Sequence, residues 1–399
     1  MNNMMEPKIR FKGFEGEWKA LSLDDCVNFL DSKRKPIEEG NRTKGIFPYY
    51  GASGIVDYIN DYIFDEELIL LSEDGANITD RNYPVCFLAK GKYWVNNHAH
   101  VLKAKEGFIN SFLCNAMERK DYTLYNTGMA MPKLNKEACK RIPVLHPSSN
   151  EQQAIATYFT TLDSQISAST SRLTSLKQMK AASLQAMFPQ KGETVPKIRF
   201  KGFEGEWKTC VLSSIATMHA RIGWQNLRKD EFLLSGDYYL ITGTDFHDGK
   251  ISFETCHYID KERYDQDKNI QLEIDSILIT KDGTLGKVAF VDSLDKPATL
   301  NAGVFNVRTK DKEIYPKYLF QYLKAPYLMD YVNKNATGGT IKHLNQNMLV
   351  NFPVQYPSYK EQVMIGDYLF NLDRQISLQS QRLEKLKQIK SACLDKMFV

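Results

Sequence analysis

A long segment that occurs twice constrains this chain more than any other feature. It runs from 147 to 188, where it begins P-S-S-N-E-Q-Q, and returns from 357 to 398, where it begins P-S-Y-K-E-Q-V. The copies align at an offset of 210 residues, so that Glu151 matches Glu361 and Asp163 matches Asp373. A chain that carries the same long segment twice is expected to consist of two related halves.

The apolar residues of each copy recur at the heptad spacing of a coiled-coil seam. Pro147 and Pro357 cannot lie inside a helix, and the residues after each are good N-caps. Each copy is therefore predicted to form one helix of up to about 39 residues, about 58 Å long. The seam residues are Phe159, Leu162, Ile166, Leu173, Leu176 and Met187 in the first copy, and Leu369, Leu372, Ile376, Leu383, Leu386 and Met397 in the second.

Two lysines, Lys180 and Lys390, occupy equivalent seam positions where a closed two-stranded coiled coil prefers apolar residues. Two interpretations are open. Either a partner covers a loosened seam at these lysines, or their aliphatic stems lie along the helices while the ammonium groups reach water.

A second repeat defines the domain plan. The sequence P-K-I-R-F-K-G-F-E-G-E-W-K occupies 7–19 and again 196–208, and it precedes a variable segment and then a long helix each time. We predict a first variable domain at 1–145, a helix and linker at 146–195, a second variable domain at 196–355 and a second helix at 356–399. The seven residues between Phe188 and Pro196 span at most about 25 Å. The second helix can then bury its seam only by running back along the first, which predicts an antiparallel pair with a pseudo-twofold axis.

The variable segments differ in sequence, yet both contain short β-like runs broken by turns. Such runs occur at 67–71, 238–242, 276–280 and 287–290, and D-G turns occur at Asp74 and Asp282. The predicted fold class is α+β. Local matches between the segments, such as Thr127-Gly128 with Thr337-Gly338, indicate two descendants of one domain.

Composition excludes several classes of protein. The chain has 399 residues, of which 43% are hydrophobic and 25% charged, and it has no apolar run of about 18 residues and no charged-then-apolar stretch at 1–10, so we expect neither a membrane span nor a secretory signal. We expect a cytoplasmic protein. Its cysteines are dispersed and never spaced C-x-x-C, which predicts reduced thiols and no zinc site; they are Cys26, Cys86, Cys114, Cys139, Cys210, Cys256 and Cys393.

Catalytic motifs for nucleotide, acyl or metal chemistry do not occur in the sequence. Histidine is a common metal ligand, but histidines that alternate in a strand-like run, as His98 and His100 do, are more often structural, so no metal site is predicted. Basic and polar clusters recur in both variable segments instead, and their side chains suit base edges and phosphates. The candidate DNA-binding residues are Lys33, Arg34, Lys35, Arg42, Lys44, Arg81 and Asn82 in the first segment, and Arg221, Trp224, Gln225, Asn226, Arg228, Lys229, Lys342 and His343 in the second.

The chain resembles, over essentially its full length, the specificity subunit of a type I DNA restriction-modification system. The residues that carry this resemblance are R-F-x-G-F-x-G-x-W at Arg10 and Arg199, P-x-x-x-E-Q-x-x-I at Pro147 and Pro357, the shared helix endings L-K-Q-[MI]-K-x-A-x-L-x-x-M-F, and the T-G segments. The resemblance implies a non-catalytic subunit whose two domains each read one half of a split DNA site. It also implies helices that dock two methyltransferase subunits, and restriction subunits that join the complex. S-adenosylmethionine, ATP and Mg would then belong to those partners.

Because the two domains differ in sequence, the DNA site should be bipartite and asymmetric. If the half-sites lie about one duplex turn apart, the gap between them should be about 5 to 8 base pairs. Two alternatives remain. One is a coiled-coil scaffold that joins two protein-binding modules without DNA. A gel-shift assay that finds no DNA affinity even with the methyltransferase present would favour it. The other is the target-recognition part of a single-chain enzyme that modifies DNA unaided, and a methyl-transfer assay on the isolated chain would decide.

Overall fold

The computed structural model describes residues 5–223, 227–281, 285–310, 312–335 and 344–399. Two compact units make up the chain. The first unit comprises Met1–Thr170 and Arg382–Val399, and the second comprises Ser171–Gln381. The first unit is thus assembled from both ends of the chain. No helix in the described part of the chain combines the length and the apolar character needed to cross a membrane.

The first unit holds a four-stranded sheet of order β2-β9-β6-β7, a second four-stranded sheet of order β4-β3-β8-β5, and a two-stranded pairing of β1 with β10. Strand β6 reads L-I-L-L-S and is buried throughout, as the apolar run predicts. The elements are β1 (Lys19–Ser22), α1 (Leu23–Cys26), β2 (Val27–Phe29), β3 (Lys44–Gly51), β4 (Gly54–Ile59), β5 (Phe64–Asp65), β6 (Leu68–Ser72), α2 (Asn77–Asp80), β7 (Cys86–Ala89), β8 (Lys92–Val95), β9 (Ala99–Ala104), α3 (Asn110–Glu118), α4 (Lys136–Lys140), β10 (Pro143–His146) and α5 (Ser149–Met187), which continues into the second unit.

The second unit repeats this plan with a sheet of order β12-β20-β17-β18 and a pairing of β11 with β21, and it adds sheets of order β16-β13-β19 and β14-β15. Its elements are β11 (Lys208–Val211), α6 (Leu212–Ile215), β12 (Ala216–Ala220), β13 (Tyr238–Ile241), β14 (Phe246–His247), β15 (Lys250–Ile251), β16 (His257–Ile259), α7 (Lys261–Asp265), β17 (Ile277–Thr280), β18 (Val288–Phe290), β19 (Ala298–Leu300), β20 (Val304–Thr309), α8 (Pro316–Lys324), α9 (Pro326–Asn335), α10 (Gln346–Val350), β21 (Pro353–Tyr356) and α11 (Tyr359–Met397), which continues into the first unit.

The predicted long helices are present, and each has 39 residues. Both begin two residues after the proline that precedes them. Within each unit, segments of the two helices contact each other in antiparallel order, as predicted. In the first unit the Tyr158 hydroxyl lies 3.3 Å from the Cys393 thiol. In the second unit the Ser183 hydroxyl lies 3.3 Å from that of Tyr368.

Burial follows the predicted heptad. Phe159 and Leu369 are fully buried, and the other buried seam residues are Leu162, Leu176, Met187, Leu372, Leu383 and Met397. The half-buried seam residues are Ile166, Leu173, Ile376 and Leu386. All twelve predicted seam residues are therefore at least half buried.

Candidate nucleic-acid interface and the frame that holds it

The two repeated motifs meet in each unit through a buried ion pair. In the first unit, Arg10 Nε and Nη2 donate to the two carboxylate oxygens of Glu151, each at 2.7 Å. In the second, Arg199 donates to Glu361 in the same way, at 2.8 and 2.6 Å. Glu151 is 1% exposed and Glu361 is not exposed at all. A bidentate pair of this kind fixes orientation as well as charge, so it anchors the start of each long helix.

Glycines of the short motif complete this contact. The carbonyl oxygens of Gly16 and Gly205 accept hydrogen bonds from Arg10 and Arg199, both at 2.6 Å. Gly16 and Gly205 have φ angles of +83° and +82°, a backbone conformation that residues with a Cβ rarely adopt. The motif thus requires glycine where it turns to present its carbonyl oxygen to the guanidinium group.

The short motif also covers the end of the other long helix. In the first unit the Ile9 amide donates to the Lys396 carbonyl oxygen at 2.9 Å, and Trp18 packs edge-on against Phe398. In the second, the Ile198 amide donates to Ala186 at 2.9 Å, and Trp207 packs against Phe188. Each unit is therefore closed by one short motif, the beginning of one long helix and the end of the other.

The lysines of the seam form ion pairs with the equivalent aspartates. Lys180 pairs with Asp373 in the second unit, and Lys390 Nζ lies 2.5 Å from Asp163 in the first. Lys180 is only 7% exposed, so its ammonium group does not reach water as one interpretation supposed. Burial first, and then the charge of Lys324, lower the pKa of Lys180 to about 8. These pairs link the two helices within each unit.

Several predicted DNA-binding arginines of the first unit make contacts inside the fold. Arg34 Nη1 donates to Glu73 at 2.7 Å and to the Ala99 carbonyl oxygen at 2.8 Å. Arg42 lies over the ring of Tyr49 and donates to a backbone carbonyl. Both side chains are partly buried, so much of their hydrogen-bonding capacity serves the fold.

Arg81 and Asn82 lie on the surface after α2. Arg81 has a left-handed backbone, with φ of +56°, and its guanidinium pairs with Glu118 at 3.0 Å. Asn82 is exposed. The lysines Lys33, Lys35 and Lys44 are exposed as well, and among the candidates of this unit they present their charge most freely to solvent.

In the second unit, Arg221 is 2% exposed and donates from Nε to the Leu300 carbonyl oxygen at 2.9 Å. Its Nη1 and Nη2 atoms have no hydrogen-bond partner among the described residues, and burial lowers the pKa of Arg221. Arg228 is exposed, and its amide donates to Glu231. Lys229 belongs to a short 3₁₀ turn. Trp224, Gln225, Asn226, Lys342 and His343 lie outside the described residues, as do Thr337, Gly338 and Asp282.

Exposed apolar side chains on the β3–β4 hairpin were not among the predicted site residues. Ile46 is 80% exposed, and Ile55, Val56 and Tyr58 are about half exposed. Such a patch beside Lys44 suits a surface that a partner covers. The G-A-S-G turn between two apolar runs is a sequence signal for the hairpin, but not for the exposure of these side chains.

His98 and His100, the two alternating histidines, have acidic partners. His98 Nδ1 lies 2.9 Å from Asp74, while buried His100 has Asp31 at 2.8 Å from Nδ1 and the Leu134 carbonyl oxygen at 2.7 Å from Nε2. Burial acts to lower the pKa of His100, but hydrogen bonds and charge, chiefly from Asp31, outweigh it and raise that pKa to about 10. Both ring nitrogens then donate hydrogen bonds. Among the described residues, no three His, Cys, Asp or Glu side chains are grouped to hold a metal ion.

Comparison with known proteins gives a consistent result. The family model for the type I restriction modification DNA specificity domain matches residues 15–178 and 204–388. The chain is 28% identical to a putative type I restriction enzyme specificity subunit from Haemophilus influenzae, over 92% of this chain and 90% of that one. It is 22% identical to the EcoBI specificity subunit of Escherichia coli, over 93% and 84%. Its fold matches that of the type I S subunit from M. genitalium with a TM-score of 0.72, at 16% identity over 99% of both chains.

Proposed function

Because the chain belongs to the type I restriction-modification DNA specificity family, we propose that its two units each read one half of a bipartite, asymmetric DNA site. The observation that carries this proposal is that the two units share one frame, the ion pair that joins the short motif to the long helix, but hold different sheets in it. The Arg10–Glu151 and Arg199–Glu361 pairs have matching geometry. The sheets beside the shared one differ, with β4-β3-β8-β5 in one unit and β16-β13-β19 in the other. The matching ion pairs suit binding of the same partner at both units, whereas the different sheets suit the reading of two different DNA sequences.

Replacing one recognition segment tests this proposal. Residues 209–355 are exchanged for the second recognition segment of another family member. The two ends of this exchange lie opposite each other, because Thr209 of β11 pairs with Gln355 of β21. We expect the half-site assigned to the second unit to change and the other to stay the same. Mapping of methylated bases in cells that carry the chain and its partners provides the measurement. Altered bases in both halves would show that the units do not read DNA independently.

We also propose that the long helices dock two copies of a methyltransferase subunit, and that restriction subunits join this complex. The support is a set of surface residues that are identical in the two helices at an offset of 210. Packing explains identities among buried residues but not among exposed ones. The exposed identical residues include Arg172, Lys177 and Gln178 on α5, and Arg382, Lys387 and Gln388 on α11. Exposed apolar neighbours follow them, Met179 and Ile389.

Charge reversal at these positions tests the docking proposal. Exchanging Arg172 and Lys177 for glutamate should remove one of two methyltransferase copies from the purified complex, and adding Arg382→Glu with Lys387→Glu should remove both. Lys385→Glu is the matched control, because Lys385 is exposed on the same helix but has Ser175 as its counterpart. Size-exclusion chromatography with light scattering measures the stoichiometry. An unchanged stoichiometry in the fourfold variant would refute this surface.

On this proposal the chain itself is non-catalytic and acts in the cytoplasm, and S-adenosylmethionine, ATP and Mg are bound by the methyltransferase and restriction subunits. All seven cysteines are free thiols, which suits a reducing compartment.

A further inference from the structure

The first unit contains a recess of about 690 Å³ between α3, β7 and the two long helices. Its lining includes Cys114 and Glu118 of α3, Thr160 and Asp163 of α5, and Lys390 of α11. This volume lies in the range of small-molecule sites.

The second unit shows what fills the equivalent space. Helices α3 and α8 follow equivalent strands, and both have nine residues. Phe112 packs against Trp18 at 5.8 Å, as Tyr318 packs against Trp207 at 6.0 Å. These contacts align the two helices residue for residue, with Phe112 matching Tyr318.

Three aromatic rings occupy the second unit at this place. Phe290, Phe320 and Phe370 contact one another with centroid distances of 5.3 to 6.3 Å. The helix alignment, the strand register and the 210-residue offset assign their counterparts in the first unit, which are Leu88, Cys114 and Thr160. All three line the recess. The recess therefore exists because smaller side chains replace three phenyl rings.

The first unit also has one cation fewer than the second at this place. In the second unit the Asp373 carboxylate accepts from Lys180, from Lys324 at 3.1 Å and from Gln321 at 2.8 Å. The counterpart of Lys324 in α3 is Glu118, so the described residues give Asp163 one cation, Lys390, where Asp373 has two. The Asp163 side chain is 49% exposed, against 14% for Asp373.

We propose that this recess binds an organic ammonium ion with a compact apolar body. The ammonium group pairs with Asp163 in the position that Lys324 takes beside Asp373, and the apolar body fills the space left by the absent rings. Glu118, which already pairs with Arg81, adds a second carboxylate to the lining.

Titration of the full chain with 2-phenylethylammonium, a phenyl ring joined to an ammonium group, tests the proposal. We expect saturable binding with a Kd of about 1 mM or tighter, measured by ligand-observed NMR and calorimetry. 2-Phenylethanol, which has the same body without the charge, should bind at least about tenfold more weakly. Asp163→Asn should remove this preference for the amine. Thr160→Phe restores one of the missing rings and should abolish binding while the thermal midpoint stays equal or rises.

Adding the methyltransferase subunit to the chain with the probe bound shows which molecule supplies the ammonium group. Displacement of the probe by the subunit would assign the recess to a lysine side chain of that partner, and retained binding would assign it to a free amine. The proposal is overturned if no saturable binding occurs, or if Thr160→Phe leaves binding unchanged in a folded protein. Equal affinity for amine and alcohol would also overturn it.

Discussion

Replacing Glu361 with alanine is expected to destabilise the second unit by about 3–5 kcal/mol, because removal of one partner leaves a partly buried charge without its counterion. Glu361 is fully buried, and the Arg199 side chain that it holds is 13% exposed. The change removes both bonds of the bidentate pair and frees the start of α11. Glu151→Ala should have an effect of similar size in the first unit, since the geometry there is the same.

Denaturant unfolding of these variants measures the effect, with probes placed separately in each unit because the chain need not unfold in one step. Glu384→Ala is the matched control. It removes the same charge from an exposed position of α11 and should change stability by less than about 0.5 kcal/mol. If Glu361→Ala and Glu384→Ala lowered the free energy of unfolding by equally small amounts, the ion pair would not anchor the start of α11.

The repeats and their periodicity predicted the long helices, their antiparallel order and the α+β class, because these depend on regular patterns within one stretch of sequence. Strands at 68–72 and 277–280 fall within one residue of the predicted runs at 67–71 and 276–280. Runs of this kind can be recognised in the sequence because these strands are buried on both faces and are therefore almost continuously apolar.

Contacts between the two repeats were harder to predict. The Arg10 motif repeats at 189 residues and the Glu151 motif at 210, so no common spacing links the two residues. Their meeting requires β1 to pair with β10, which brings the ends of the variable segment together. The Lys180–Asp373 and Lys390–Asp163 pairs were visible in principle, since both partners recur at one offset and lie opposite each other in an antiparallel pair.

The candidate DNA-binding residues show a different limit. The guanidinium group of an arginine can form an ion pair inside the fold or contact a phosphate group of DNA. The sequence alone therefore does not show that Arg34 pairs with Glu73. The sequence predicted Lys33, Lys35 and Lys44 as candidates, but only burial distinguishes these exposed lysines from the partly buried arginines. The exposed apolar residues of the β3–β4 hairpin were not predicted.

The length of the two long helices, α5 and α11, should also determine the number of base pairs between the two half-sites. Both pass from one unit to the other, α5 between Thr170 and Ser171 and α11 between Gln381 and Arg382. The helical pairings place these two points at the same level of the antiparallel pair. Insertion of four residues at both points adds one turn to each helix, whereas insertion near Met187 or Glu361 would disturb the anchors of the frame.

One added turn lengthens the helices by about 6 Å and rotates one end by about 40°. Since base pairs are spaced at roughly 3.4 Å, the gap should widen by one or two base pairs while the half-site sequences stay the same. A variant with the same four residues inserted in α5 alone is the control, and it should break the pairing and lose activity.

Mapping of methylated bases in cells that carry the doubly lengthened chain and its partner subunits tests this account most directly. The predicted result is an active complex that methylates the original two half-sites across a gap one or two base pairs longer than before. An active complex with the original gap would contradict it, because the helices would then not determine how far apart the two units read DNA.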